Sequence, residues 1–405
     1  MDEVEELDQL YHLSYQEKLQ LSQIQSDLIM WQEGPLASYY DKEKLQRASS
    51  GKRAKLLLSE IRTNVDSLRR EPTDYEDFIA PAIPMDKYKS IFTTEEKILG
   101  RCPCPTDGEL TRCCNLRTLD AVQQCAFACS YCAVQSFYNQ NEIRVVGNLA
   151  QRMETLQLDE DIWHIGTGQS SDSLLWGNDF KTLDALGILA RRYPNLVIEL
   201  KTKCARTDWI GMGLPRNIIA TWSLNAPTII QKEEHLTASL EARLQAARKA
   251  ADHHILIGFH LHPLVYFKGW EEAYRQVVRR ITELFTPQEV ILISFGTLTF
   301  TKSVLKTLRS RQRPSRILDM ELTPFANKFS YPKETKLKLF KNAYEAFPPS
   351  WKQGQPFFYL CFEDPSLWQP VLGHSYPSNK EFESAMKESY LKTINNTYFH
   401  TCEKK

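Results

Sequence analysis

"HILIGFHLHPLV" (residues 254–265), "WEEAYRQVVRRITELF" (270–285) and "EVILISFGTL" (289–298) follow one another closely, and their order decides the fold class. The outer two are short runs rich in β-branched residues, the pattern of strands buried on both faces. The middle one spaces its apolar residues three and four apart, as an amphipathic helix does. A strand, a helix and a second strand at this spacing imply a crossover, so the two strands lie parallel in one sheet. The alternation extends toward the N-terminus. "DIWHIGTG" (161–168), "NLVIELKTK" (195–203) and "NIIATWSLN" (217–225) read as strands. "FKTLDALGILARRY" (180–193), "SLEARLQAARKAADH" (239–253) and "KSVLKTLRSRQ" (302–312) read as helices. The expected class is α/β, with polar residues gathered at the C-terminal edge of the sheet, where such folds carry their sites. Periodicity alone leaves open whether the sheet closes into a barrel.

Before this region the chain is polar and helical. "LYHLSYQEKLQLSQIQSDLIMW" (10–31) and "KRAKLLLSEIRTNVDSLRR" (52–70) carry helical spacing, and "EPTDYEDFIAPAIPM" (71–85) is a proline-rich connector. The organisation expected is a helical region at 1–98, a cysteine-rich connector at 99–117, the strand–helix body at 118–365 and a C-terminal extension at 366–405. Lys plus Arg and Asp plus Glu are both 50, so net charge selects no partner. Local excess says more. Residues 41–70 hold nine basic against four acidic residues, and 302–341 hold eleven against three. Each stretch is either a solvated helix face or a nucleic-acid surface. The N-terminus is acidic without an apolar core, and no apolar run approaches the ~18 residues of a membrane span. The expectation is a cytoplasmic protein with reduced thiols and no membrane partner, in which ten cysteines favour metal or redox chemistry over disulfides.

Three of those cysteines stand in "QQCAFACSYCAVQ" (123–135): Cys125, Cys129 and Cys132. Three thiols this close leave one unpaired in any disulfide scheme. Zinc needs a fourth ligand, from His164 or another cysteine. A [4Fe–4S] cube held by three thiolates keeps one iron without a protein ligand. That iron could chelate the amino and carboxylate groups of S-adenosylmethionine, whose reductive cleavage yields a 5′-deoxyadenosyl radical. Tyr131 would then pack near the adenine, or simply within the loop.

This spacing, ahead of strand–helix repeats, is the signature of the radical S-adenosylmethionine superfamily. Downstream the chain resembles the spore photoproduct lyase family in "CAFACSYCAVQ", "GTGQSSDSL", "ELKTK", "TWSLN", "EEHLTASLEARLQAARKA", "IGFHLHPLVYFKGWEEAYRQVV" and "RILDMEL". The resemblance implies a partial (β/α)6 barrel with an N-terminal helical appendage and a short C-terminal extension. It implies a [4Fe–4S] cluster on Cys125, Cys129 and Cys132, and S-adenosylmethionine contacts from Ser171, Lys203 and Ser223. It further implies an electron-donating reductase of flavodoxin or ferredoxin type, and a DNA-lesion substrate, since the founding activity repairs a thymine dimer in spore DNA. Alternative targets are RNA, a nucleotide or a peptide. A reading of another class is a non-catalytic, metal-containing nucleic-acid-binding protein.

Two departures bear on the reaction. The lyase has a hydrogen-returning cysteine where this chain has Gln169, and a second tyrosine where it has Ala133. The family's basic hairpin also aligns poorly with "LTPFANKFSYPKETK" (322–336). "RCPCPTDGELTRCCNL" (101–116) adds Cys102, Cys104, Cys113 and Cys114, a candidate zinc or auxiliary-cluster group. Cys204, Cys361 and Cys402 are scattered and read as structural. His260 and His262 share a strand face, either as a satisfied core pair or as acid–base groups. Glu233, Glu234 and His235 precede a helix capped by Thr237 or Ser239. Arg243 and Glu241, in its first turns, are expected to form surface ion pairs.

Overall fold

A computed structural model of the chain describes residues 3–84, 88–102, 109–137 and 142–402. It opens with helices α1 (Glu3–Tyr11), α2 (Tyr15–Trp31), α3 (Lys42–Arg47) and α4 (Ser50–Arg70). The pattern that reads as one helix over 10–31 is split at His12, whose φ is 54°. The split is fixed by a capping box: Ser14 accepts from the Glu17 amide and Glu17 accepts from the Ser14 amide at 2.8 Å. These helices share one apolar core with the body. Buried Asp27 accepts from Arg69 (2.9 Å) on α4 and from Arg309 (3.1 Å) in the body, tying the appendage down.

The body is an eight-stranded sheet, curled and open. Its order needs the strands β1 (Lys89–Thr93), β2 (Leu99–Arg101), β3 (Arg117–Leu119), β4 (Val122–Gln123), β5 (Glu142–Val146), β6 (His164–Gly166), β7 (Val197–Thr202), β8 (Ile218–Leu224), β9 (Ile257–Leu264), β10 (Val290–Thr297), β11 (Thr299–Phe300), β12 (Thr323–Phe325), β13 (Lys328–Ser330) and β14 (Phe357–Leu360). The order is β14-β10-β9-β8-β7-β6-β3-β2. All neighbours pair in parallel except β2 on β3, which is antiparallel and ends the sheet. β3, β6, β7, β8, β9 and β10 form the expected partial (β/α)6 barrel, extended by β14. Helices α5 (Leu149–Thr155), α6 (Thr182–Arg192), α7 (Pro227–Glu233), α8 (Leu240–Asp252), α9 (Trp270–Leu284), α10 (Lys302–Ser310) and α11 (Lys333–Glu345) punctuate the strands. The C-terminal extension is α12 (Pro365–Leu372) and α13 (Asn379–Cys402). Small sheets, β1-β5-β4 and β11-β13-β12, flank the barrel mouth.

Period-two alternation sorts the barrel strands into two faces. Ile198, Leu200, Ala220, Trp222, Phe259, Leu261, Ile293 and Phe295 form one, all essentially inaccessible. Glu199, Lys201, Thr221, Ser223, His260, His262, Ser294 and Gly296 form the other and face the interior, where Glu199 is hydrogen-bonded across to Thr221 (2.7 Å) and His260 (2.6 Å). A polar interior in a parallel barrel must satisfy itself or hold a ligand.

Candidate active site

The cysteine triplet sits on the loop after β4, and four backbone bonds hold that loop. The Gln124 amide donates to the Ser170 carbonyl (3.0 Å), and Ala128 and Ser130 donate to the carbonyls of His235 (3.2 Å) and Glu233 (2.8 Å). The Cys132 amide donates to the Cys129 carbonyl (3.1 Å), making the turn that brings the last two cysteines back together. Ser130 Oγ also bonds His235 Nε2 at 3.1 Å. "EEH" is therefore the clamp of the cysteine loop.

Cys125, Cys129 and Cys132 all line one cavity of about 390 Å3. Ser171, Lys203, Ser223 and Gln169 line it too, so the structure brings every first-rank sequence candidate to one place at the strands' C-terminal ends. Gly168 admits the close approach there: a Cβ on it would meet the Lys201 carbonyl oxygen at 2.8 Å. Phe127, Leu298, Phe300 and Phe362 supply apolar wall. Burial pushes the Cys125 thiol well above its usual value and Cys129 up to about 12. Bare, these thiols stay protonated, so a bound metal would have to displace their protons. Among the described residues, no three Cys, His, Asp or Glu side chains close around a metal-sized point. The donor set nevertheless suits an iron–sulfur cluster: three soft thiols of one loop share a cavity with a partly apolar wall.

A charge cluster lies against the loop. Glu234 Oε1 accepts from Lys203 Nζ (2.8 Å), from Asn225 (3.1 Å) and from the Tyr131 hydroxyl, which Lys203 also contacts. Glu234 Oε2 accepts from Arg243 Nη2 at 2.7 Å. Burial opposes ionisation of Glu234, but Lys203 and Arg243 outweigh it and hold the carboxyl down to about 2. Burial and the same carboxylate push Tyr131 well above its usual value. Lys203 is thus already engaged, while Lys201 lines the cavity with no ion pair among the described residues. The Ser171 hydroxyl donates to the Gln124 carbonyl (2.8 Å), pinning the cysteine loop from below. Asp172 does similar work. It accepts from Thr202 (2.6 Å) and from the amides of Lys203 (2.7 Å), Leu174 (3.1 Å) and Leu175 (2.9 Å).

Arg243 corrects the surface reading: it is fully buried and also donates to the Ser223 carbonyl at 2.8 Å, while Glu241 does pair at the surface, with Arg280 (2.9 Å). Ser239 is the cap of α8. His260 is a satisfied core histidine, bonded to Ser294 (2.6 Å) and Glu199 (2.6 Å), while His262 reaches the cavity. Sequence reasoning missed Glu199, Lys201 and Asp172. For Glu199 and Lys201 the signal was there in the strict alternation of "IELKTK", whose charged residues all fall on one face. Where similarity to the family's hairpin is weak, β12 and β13 nonetheless make a hairpin beside the cavity, turned by Ala326 and Asn327 at φ 49° and 62°. Cys361 is not merely structural, since it lines the cavity as well.

Of the second cysteine group, Cys104 lies outside the described residues. Cys102, Cys113 and Cys114 line a separate cavity of about 40 Å3 with His164, Glu199 and Cys361. Many basic residues of 41–70 and 302–341 are spent internally, as in Lys44–Glu60, Arg316–Asp319 (2.7 Å) and Lys336–Glu363 (2.8 Å). Among the described residues no helix is long and apolar enough to cross a membrane.

Comparison with known proteins agrees with the fold. The family model for spore photoproduct lyase matches residues 184–345. The spore photoproduct lyase of Geobacillus sp. (strain Y412MC61) is 29% identical over 102 residues, 25% of this chain and 30% of that protein. That of Bacillus subtilis (strain 168) is 35% identical over 69 residues, 17% of this chain and 20% of that protein. The matched segments thus span less than a third of either relative. A solved spore photoproduct lyase double mutant with bound S-adenosylmethionine and dinucleoside spore photoproduct aligns at a TM-score of 0.53 and 19% identity, over 67% of this chain and 81% of that one. A spore photoproduct lyase complexed with dinucleoside spore photoproduct aligns at a TM-score of 0.51 and 18% identity, with the same coverage.

Proposed function

This chain belongs to the spore photoproduct lyase family, and on that premise we propose that it is a radical S-adenosylmethionine enzyme acting on a nucleic-acid lesion or a related nucleic-acid substrate. The observation that carries the reading is that Cys125, Cys129 and Cys132 share one cavity with Gln169, Ser171, Lys201, Lys203 and Ser223. Cys125, Cys129 and Cys132 would hold a [4Fe–4S] cluster, which when bound supplies the electron that cleaves S-adenosylmethionine to a 5′-deoxyadenosyl radical.

The chain's own residues have distinct tasks. Lys201 offers an ammonium to an anionic ligand group such as the methionyl carboxylate. Ser223 offers a hydroxyl at the end of β8. Lys203, Tyr131 and Glu234 form a fixed charge cluster that orients the loop rather than a group free to transfer protons, because Glu234 stays ionised far below neutrality. Phe127, Phe300 and Phe362 exclude water from the cavity. The enzyme is placed in the cytoplasm, with a flavodoxin- or ferredoxin-type reductase as electron donor.

Gln169 sets the outcome apart from dimer repair. Its amide N–H is a hydrogen-bond donor and not a hydrogen-atom donor, so it cannot quench a substrate carbon radical as a thiol would. Dinucleotide spore photoproduct given to the reconstituted, reduced protein should stay largely unrepaired while S-adenosylmethionine is consumed. Gln169→Cys should raise repair. Clean catalytic repair by the wild type would show that Gln169 was misassigned.

A further inference from the structure

Both open edges of the barrel sheet end in a cysteine. Cys102 follows β2 and Cys361 follows β14, the outermost strands. The connector between β2 and β3 bridges these edges. Its Arg112 pairs with Glu363 in an isolated antiparallel bridge, the Arg112 amide donating to the Glu363 carbonyl at 2.9 Å. Arg112 also donates to the carbonyls of Tyr376 (2.8 Å) and Pro377 (2.6 Å). Cys113 and Cys114 come next on that connector, so four cysteines meet at the seam and line the 40 Å3 cavity. Cys113 and Cys114 lie side by side, and Cys102 and Cys361 are close enough to Cys114 to push its thiol further up.

A second observation comes from the opposite wall. His164 lines the same cavity and is 4% exposed. Its Nε2 bonds Glu199 at 3.0 Å, and its Nδ1 is buried with no partner. Glu199 is bonded to Thr221 and to both imidazoles, so in a neutral His164 ring whose Nε2 donates to the carboxylate the lone pair falls on Nδ1. An imidazole oriented by a carboxylate on one nitrogen, with the other nitrogen bare, is how metal-ligating histidines are held. Among the described residues these side chains do not close around a metal-sized point, so an entering zinc would have to draw the sulfurs and Nδ1 together.

The geometry points to a structural zinc site in which Cys102, Cys114, Cys361 and His164 Nδ1 clasp the two edges of the open barrel. Soft thiolates with one imidazole are a zinc donor set, and closed four-coordinate sites of this kind stabilise folds. Zinc entry would release three thiol protons as the thiolates form. The volume suits one ion, since it amounts to a few water-sized spheres. Cys113, adjacent to Cys114, stays beside the ion. The site would sit directly behind the larger cavity, because Gln169, Lys201, His262, Cys361 and Phe362 line both.

The test uses the full chain with Cys125, Cys129 and Cys132 replaced by Ala, so that iron at the triplet cannot contribute. After zinc loading and removal of excess metal, it should retain about one zinc per chain, and a strong chelator should lower its thermal midpoint. Adding Cys114→Ser and Cys361→Ser should abolish zinc retention. Glu199→Gln should weaken affinity about 10- to 100-fold. Should the added serines impair folding, cobalt(II) substitution of the triple variant decides: thiolate-to-metal charge-transfer bands support the site. Absence of tightly held zinc in the folded triple variant, or a cobalt spectrum without thiolate bands, would overturn it.

Discussion

Glu234 is where the charges of the site converge, and Glu199 is its counterpart deeper in the barrel. Burial disfavours the charge of Glu199, yet His260 and His164 hold its carboxyl well below the usual range. His260 moves the other way: burial first, then Lys201, lower it from 6.5 to about 4 against the pull of Glu199. The neutral ring is thus the folded form. An unfolded chain takes up that proton as pH falls through 6.5, so stability is lost between pH 6.5 and 4 and levels off below. The groups facing His260 are Glu199 and Lys201 on β7, His164 on β6, His262 on β9 and Ser294 on β10. Between pH 7 and 5, His260 alone should cost on the order of 2 kcal/mol. Urea unfolding of wild type and His260→Asn at both pH values checks this, and equal losses in the two would refute it. The carboxyls Glu199 and Glu234 also lose their contribution on acidification, but only below the ordinary carboxylate range. At this scale spacing singled out the triplet, and the family resemblance pointed to Ser171, Lys203 and Ser223, which line the same cavity. Arg243 was not, because a helix-start arginine looks the same in sequence whether its guanidinium faces solvent or a buried carboxylate.

The elements that matter most are the cysteine loop and the helix behind it. α8 sends Arg243 inward to the Ser223 carbonyl of β8, to Glu234 and to the Ala238 carbonyl (2.8 Å). Removing one partner of a buried pair leaves the other charge stranded, at about 3–5 kcal/mol. Arg243→Ala should therefore destabilise the chain by about that much in chemical denaturation. A loss under about 1 kcal/mol would mean that Lys203 alone satisfies Glu234. Strands and helices of the body were readable because apolar runs and helical spacing alternate cleanly. The clamp was not, since it consists of backbone carbonyls at 170, 233 and 235, to which sequence carries no pointer. Nor was the break at His12: the apolar period runs straight through it, and the capping box at Ser14 is what interrupts the helix.

Across the whole molecule, a sheet with a polar interior opens at one side and ends in loops that line the large cavity. The class α/β follows from the order of elements, while the partial barrel came only from the family resemblance. The meeting of the two sheet edges does not follow from that order, because residue 361 is distant in sequence from 102 and 114 and meets them only when the sheet curls. Part of the basic surplus is spent within the chain: Arg69 pairs with Asp27 inside the appendage, and Arg309 of the body pairs with the same carboxylate to dock it. Composition alone therefore overstates the positive surface left for a nucleic acid. The central claim is that the triplet of this one loop makes the chain a reductive S-adenosylmethionine-cleaving enzyme. The direct measurement is 5′-deoxyadenosine formed anaerobically after reconstitution with iron and sulfide, in the presence of dithionite and S-adenosylmethionine. The wild type should form it, and a folded variant with Cys125, Cys129 and Cys132 replaced by Ala should form none. Equal formation by both, or none by a wild type loaded with four irons in the loop, would contradict the account.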